Sequence, residues 1–389
     1  MKKISAPMAC IAAAGLMLAA VSCATNKRAA HMPPTLKDAY KKLFLIGVAI
    51  NQRQFTEQDT NGAALIKAHF NSISPENVLK WEVVHPRPGA DGYNFEAADR
   101  YVEFGEKNNM YIIGHTLVWH SQTPRWVFQD AEGKPLDREA LLARMRDHIH
   151  TVVGRYKGRI KGWDVVNEAL QDNGALRQSQ WFRIIGEDYI AKAFQFAHEA
   201  DPKAELYYND YSLEIPAKRD GAVALIKRLQ AQGIPVAAIG TQHHDKMKSP
   251  ALDQVEATIV AFGNLGVKVN VTELDVDVAP SSQRNTSADV AEVARQTGGA
   301  NVYSNSLPDS VQQELAQRYA GLFSVFHKHS DVIERVTFWG VTDGDSWLNR
   351  PGRVNYPLLF DRNGRPKPAF DAVIGAAHRT DIRTTTKRY

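Results

Sequence analysis

Two glutamates constrain what this chain can fold into. Trp163 to Leu170 reads WDVVNEAL, an apolar run that delivers Asn167 and Glu168 side by side just where it stops. Val267 to Val276 reads VKVNVTELDV and has the same form, stopping at Glu273 with Asp275 two residues on. A buried parallel strand whose tip carries chemistry ends this way, hydrophobic until its last residues and then abruptly polar. The glutamates lie 105 residues apart (168 to 273), so only a fold that gathers strand ends brings them together. A barrel of parallel strands does that.

The rest of the chain agrees. From Leu43 onward, apolar runs alternate with helical patterns. The runs are Leu43–Ile50, Phe70–Ser74, Tyr111–Trp119, Ile160–Asn167, Glu205–Asn209, Ala237–Gln242, Val267–Thr272 and Val336–Val341. Between them, Leu141, Leu142, Met145, Ile149, Val152 and Val153 recur at helical spacing behind Asp137, a residue placed to cap the helix start. A second pattern, Ala222, Leu225, Ile226 and Leu229, ends at Gly233, and a last helix is expected over about Pro368 to Ala377. Eight such βα units predict an α/β fold, a single-domain (β/α)8 TIM barrel with its functional face at the strand C-termini. The polar stretch from Asp277 to Ser310 is too long for an ordinary connection, and its place on that face makes it either a substrate contact or a mobile insertion.

Lys2 and Lys3 followed by the apolar stretch Met8 to Val21 read as an export signal, too short for a membrane span. LAAVSC resembles a bacterial lipoprotein cleavage box, with Cys23 as the residue to be lipidated. Ala20 stands where a larger aliphatic residue is more usual, and cleavage by ordinary signal peptidase near Ser22 and Ala24 is the alternative, giving a periplasmic or secreted protein. The expected organisation is a leader over 1–22, a tether over 23–36, the barrel over 37–378 and a tail over 379–389. With the leader removed, Cys23 is the only cysteine and no intrachain disulfide can form. A formal net charge of +4, with no long basic block before the tail, argues against a nucleic-acid partner and for a neutral substrate. Membrane contact is expected only through the lipid.

Two carboxylates at strand tips on one barrel face suit cleavage of a glycosidic bond. One is protonated and gives the leaving oxygen its proton, while the other stays ionised against the cationic anomeric carbon. A separation of about 5–5.5 Å makes such a pair retaining, through a covalent glycosyl ester. The ionised glutamate should itself raise the proton affinity of the other. Other tips add Glu76, Asn77, Lys80 and Trp81, then His115, Trp119, His120 and Gln122, then Asn209, Asp210 and Tyr211, then Gln242, His243 and His244, and finally Trp339 and Trp347. Amides, charges and aromatic rings in that mixture suit a sugar, with hydroxyls at its rim and C–H faces.

WDVVNEAL, VTELDV, HTLVWHSQ, ENVLKW, YYNDY and FWGVTDGDSWL together resemble glycoside hydrolase family 10, the endo-β-1,4-xylanases, over about Leu36 to Ala377. The resemblance implies an endo-acting, retaining enzyme on xylan and xylo-oligosaccharides, without cofactor or metal; a monomer is expected, although the sequence does not itself fix the oligomeric state. It implies Glu168 as acid/base and Glu273 as nucleophile, and Asn167 as the partner of the 2-hydroxyl of the sugar being cleaved. His244, held near Asp275, would orient Glu273. Lys80, His115 and Gln242 would line the same subsite, with Trp119 and Trp339 packed about it. Glu76, Asn77, Gln122 and Trp347 would hold the next glycone sugar, and Tyr211 would stack on the aglycone side. Xylose lacks a hydroxymethyl group, so Trp347 can close where glucose would clash. The chain departs from the family pattern mainly in the loop after the seventh run. Competing readings are a β-glucan-active relative, a non-catalytic glycan-binding lipoprotein, and a metal-dependent hydrolase using His115, His120, His243 and His244. The last lacks any recognised ligand spacing.

Overall fold

A computed structural model describes Met1 and residues 34–279, 302–304 and 306–378. The export signal, Cys23, nearly all of the expected tether, most of the 277–310 connection and the C-terminal tail lie outside the described residues.

Among the described residues there are nine strands: β1 Leu45–Ile50, β2 Ser72–Pro75, β3 Tyr111–Trp119, β4 Gly162–Asn167, β5 Glu205–Asp210, β6 Ala238–Thr241, β7 His244–Lys246, β8 Lys268–Asp277 and β9 Ile333–Phe338. Every pairing between them is parallel. The order β6-β5-β4-β3-β2-β1-β9-β8 closes on itself where β6 meets β8, which makes the eight-stranded barrel. Eight runs were expected and eight staves are found. The ninth strand, β7, continues β6 along β8 after a break at Gln242 and His243, where His243 takes φ +60°.

Alternation along the strands sorts side chains between two interiors. Ile46, Val48 and Ile50 of β1, Leu206 and Tyr208 of β5, and Val269 and Val271 of β8 join one large core with the helices. Ile113, Tyr207 and Ala238 form a separate small cluster. The expected helices are there. Arg138–Arg155 begins where the Asp137 carboxylate accepts the Ala140 N–H at 2.8 Å, and it buries the six apolar residues named above. A helix over Pro216–Ala231 carries proline in its first turn and ends ahead of Gly233 at φ +71°, and the last helix is Pro368–Ala377. Just before that last helix, buried Lys367 donates to both oxygens of Asp343 at 3.1 and 2.9 Å and to the carbonyls of Tyr356 and Leu358, both at 2.8 Å. This pins the loop after β9 that carries Trp347. Among the described residues no helix is long and apolar enough to cross a membrane.

Candidate active site

The strand tips surround a cleft of about 590 Å³ lined by Glu76, Asn77, Lys80, His115, Trp119, Gln122, Asn167, Glu168, Gln242, His244, Glu273, Trp339 and Trp347. Sequence reasoning had singled out all of these residues. Asp275 stands behind His244, and Tyr211 is not part of the lining.

Glu168 follows the last residue of β4 and takes φ +56°, a conformation that a non-glycine residue holds only when its surroundings over-determine it. Its N–H donates to Asn209 O at 2.8 Å. Its carboxyl accepts Trp119 Nε1 at 2.8 Å on Oε2 and Gln242 Nε2 at 3.0 Å on Oε1. Burial raises its proton affinity above the usual range; His120 and the two hydrogen bonds pull the other way, and the charge of Asp210 adds to the rise. The expected source of that rise was Glu273. Burial is the larger cause instead, and Asp210 is the carboxylate that presses on Glu168.

Glu273 sits inside β8 with its N–H donating to Gln242 O at 2.9 Å. Burial pushes its proton affinity up, but the His244 hydrogen bond, the charges of His115 and His244 and the Asn209 hydrogen bond outweigh it, and the net shift is downward. His244 is the reason this works. Its Nδ1 lies 3.0 Å from Asp275 Oδ1 and its Nε2 lies 3.3 Å from Glu273 Oε2. Burial alone would lower its pKa, yet the two carboxylates raise it to about 10. At neutral pH both ring nitrogens therefore carry protons and donate. Trp347 Nε1 donates to the second oxygen of Asp275 at 2.7 Å, so one carboxylate fixes both the imidazolium and an aromatic wall of the cleft.

Neutral amides run between the two glutamates. Asn209 Nδ2 donates to Glu273 Oε1 at 2.8 Å and to Asn167 Oδ1 at 2.9 Å, while its own Oδ1 accepts Thr272 Oγ1 at 2.7 Å. Gln242 Nε2 reaches Asn167 Oδ1 at 3.4 Å as well as Glu168. With Asn167 Oδ1 engaged twice, its Nδ2 is the group left to donate into the cleft. Gly240 neighbours Asn209 in the sheet, and a β-carbon there would overlap Asn209 Oδ1 and come within 2.8 Å of Thr272 Cγ2. The glycine makes room for the amide. Sequence reasoning placed Asn209 at a strand tip and gave it no role. The signal was available in alternation, since Tyr207 and Asn209 share a face opposite Leu206 and Tyr208.

On the far side of the cleft Lys80 Nζ donates to Asn77 Oδ1 at 3.2 Å and Gln122 Oε1 at 2.9 Å, and sits 5.1 Å from the Trp119 ring centre. Gln122 Nε2 donates to Glu82 at 2.9 Å, a partner the sequence did not suggest. His115 is oriented by Asp164, 2.9 Å from its Nδ1 and equally unforeseen. Burial raises the proton affinity of Glu76, with Lys80 opposing and Asp345 reinforcing the shift. Tyr211 departs from its expected place. It is 3% exposed, its hydroxyl accepts Arg177 Nη2 at 2.7 Å, and Lys218 Nζ lies 3.4 Å from its ring centre. A ring covered in this way has little open face to stack on a sugar. Among the described residues no group of three or more His, Cys, Asp or Glu is placed to hold a metal ion.

The arrangement is thus an open cleft holding two buried carboxyl groups, one with its proton affinity raised and one with it lowered, among amide donors and indole walls. The chain is similar to proteins with known activities. It is 46% identical over 363 residues to an endo-1,4-beta-xylanase A of Xylanibacter ruminicola, covering 92% of this chain and 96% of that protein. A solved endoxylanase structure retrieved from sugarcane soil metagenome matches with a TM-score of 0.82 and 46% identity, covering 87% of this chain and 99% of the other. A mutant structure in complex with xylotriose matches with a TM-score of 0.78 and 37% identity over 88% of this chain and 99% of its own. The model of glycosyl hydrolase family 10 matches residues 35–376, and the chain belongs to that family.

Proposed function

We propose that this enzyme is an endo-1,4-β-xylanase that cleaves xylan and xylo-oligosaccharides by a retaining double displacement. One observation carries the reading: Glu168 and Glu273 share one cleft with opposite shifts in proton affinity. In the first step Glu273, ionised under His244, attacks the anomeric carbon while Glu168 gives its proton to the departing glycosidic oxygen. Esterification removes the negative charge of Glu273. In the second step Glu168, now ionised, takes a proton from water as that water attacks the same carbon from the face the leaving group vacated. The ester breaks, and net configuration is retained.

The cleft residues take their roles from their donors. Asn167 Nδ2 meets the 2-hydroxyl, a contact that tightens as charge develops. Lys80, His115 and Gln242 hold the sugar being cleaved between Trp119 and Trp339, and Glu76, Asn77, Gln122 and Trp347 hold the next one. Trp347, tethered to Asp275, closes over a ring that lacks a hydroxymethyl group. Steric rejection of this kind separates xylose from glucose by about 1–3 kcal/mol, enough for preference with some leakage.

The test is reducing-sugar release from xylan and from mixed-linkage β-glucan, for the wild type and Glu273→Gln. Strong release from xylan that collapses in the variant is expected. Preference for glucan would overturn the substrate, and unchanged release by the variant would overturn the nucleophile. NMR of the first-formed anomer checks retention. We further infer export and lipid anchoring at Cys23 of a monomeric enzyme. Incorporation of labelled palmitate that Cys23→Ala abolishes is the expected result, and release of unlabelled wild-type protein into the soluble fraction would refute it.

A further inference from the structure

We propose that Arg177, anchored by Tyr211, is a positioning residue for the acid/base Glu168; the inference rests on the role given to Glu168 above. The segment after β4 folds back on itself. Gln171 N donates to Ala175 O at 2.8 Å, Leu170 and Leu176 bridge antiparallel, and Arg177 N donates to Ala169 O at 2.7 Å. The turn delivers the guanidinium to the backbone of Glu168. Arg177 Nε donates to Glu168 O at 3.0 Å, and Nη2 donates to the Tyr211 hydroxyl at 2.7 Å and to Leu170 O at 3.5 Å.

Glu168 needs such a clamp because its φ is +56° and no glycine stands there. Its N–H is taken by Asn209 O on one side, and its carbonyl is taken by Arg177 on the other. With both main-chain groups held, the peptide planes on either side are fixed and the carboxyl is aimed at the cleft. The planar fork of arginine suits the task, since it reaches the Glu168 carbonyl and the Tyr211 hydroxyl from one rigid group. Tyr211 is a firm anchor. Its N–H donates to Asp210 Oδ1 at 2.9 Å, and Asp210 Oδ1 pairs with buried Lys218 at 3.0 Å, whose ammonium lies against the Tyr211 ring. Asp210 Oδ2 also accepts Leu170 N–H at 3.2 Å, so both ends of the turn bear on the same support.

A clamp on the acid matters in proportion to how much proton the leaving group needs. The experiment compares kcat/KM, which reports the first bond cleavage, on xylotetraose and on dinitrophenyl β-xylobioside, whose leaving group departs without protonation. Arg177→Met should lower the xylotetraose value about 100-fold and the dinitrophenyl value by less than about 3-fold, in line with the usual worth of a positioned general acid. Arg177→Lys should fall between wild type and Arg177→Met. Tyr211→Phe, which removes only the anchoring hydroxyl, should lose about 10-fold on xylotetraose alone. Equal losses on both substrates, or a loss explained by a lower Tm, would make Arg177 a merely structural residue and overturn the proposal, as would no loss on either. If the wild type cleaves neither substrate, the xylanase reading falls and the proposal falls with it, an outcome distinct from a selective loss in the variants.

Discussion

Glu168 and Glu273 are equally withdrawn from solvent, at 3% and 5% exposure, yet their proton affinities move in opposite directions. Burial opposes ionisation at both. At Glu168 it is opposed first by the charge of His120 and then by the hydrogen bonds of two neutral donors, Gln242 and Trp119, and it is reinforced by Asp210. At Glu273 it meets an imidazolium backed by a second carboxylate. Depth alone therefore does not decide which way a buried carboxyl group's proton affinity moves; at Glu273 a charged donor in direct hydrogen-bond contact does.

The sharpest break of this comparison is to delete each carboxyl in turn. Glu273→Ala should lower kcat on xylan by at least about 10⁴-fold, as loss of a covalent nucleophile does elsewhere. Glu168→Ala should cost about 10²–10⁴-fold on xylan, and added azide should restore turnover of an activated aryl xylobioside in this variant, giving the β-azide. Steady-state kinetics and product NMR check both. The reverse pattern of rescue would exchange the two roles.

The imidazolium is tested next. Without it burial dominates, so in His244→Gln the acidic limb of the kcat/KM profile should move up by about 1–3 pH units. The same residue links to stability. Its folded pKa of about 10 lies above its ordinary 6.5, so its contribution is complete below the ordinary value and is lost as pH rises through about 10. Thermal unfolding of the wild type should weaken across that window more than unfolding of His244→Gln. A smaller effect is expected from Gly240→Ala, which crowds Asn209 and should reduce kcat about 10-fold, with a modest fall in Tm. Smallest of all, Trp119→Phe removes a hydrogen bond that favours the charged form of Glu168. Its alkaline limb should shift to higher pH by under about one unit, and a downward shift would contradict the assigned cause.

The barrel was legible because its strand tips change abruptly from apolar to polar, and that boundary survives in one dimension. The start of β9 was not. Val336 was the expected first residue and Ile333 is the actual one, because Glu334 and Arg335 interrupt the apolar run while Arg335 is buried near the Tyr207 ring, 5.7 Å from its centre. Strand β7 was missed because His244–Lys246 reads HDK and owes its form to pairing with β8 rather than to its own pattern. The cleft residues were recognisable by type and position. Their partners Asn209, Asp164 and Arg177 were harder to find, since each acts across a separation that only closure of the barrel makes short.

The row of amides between the two glutamates has one more consequence. Gln242, Asn167 and Asn209 donate hydrogen bonds and never surrender the protons that make them. They are a rigid frame and also an insulator. No conducting wire of acids, histidines or hydroxyls joins the two carboxyl groups through this row, so a proton parted from one has no internal route to the other along it. In the proposed double displacement, the proton that leaves with the first sugar is therefore restored by the water that cleaves the ester, and the proton balance closes through the substrates.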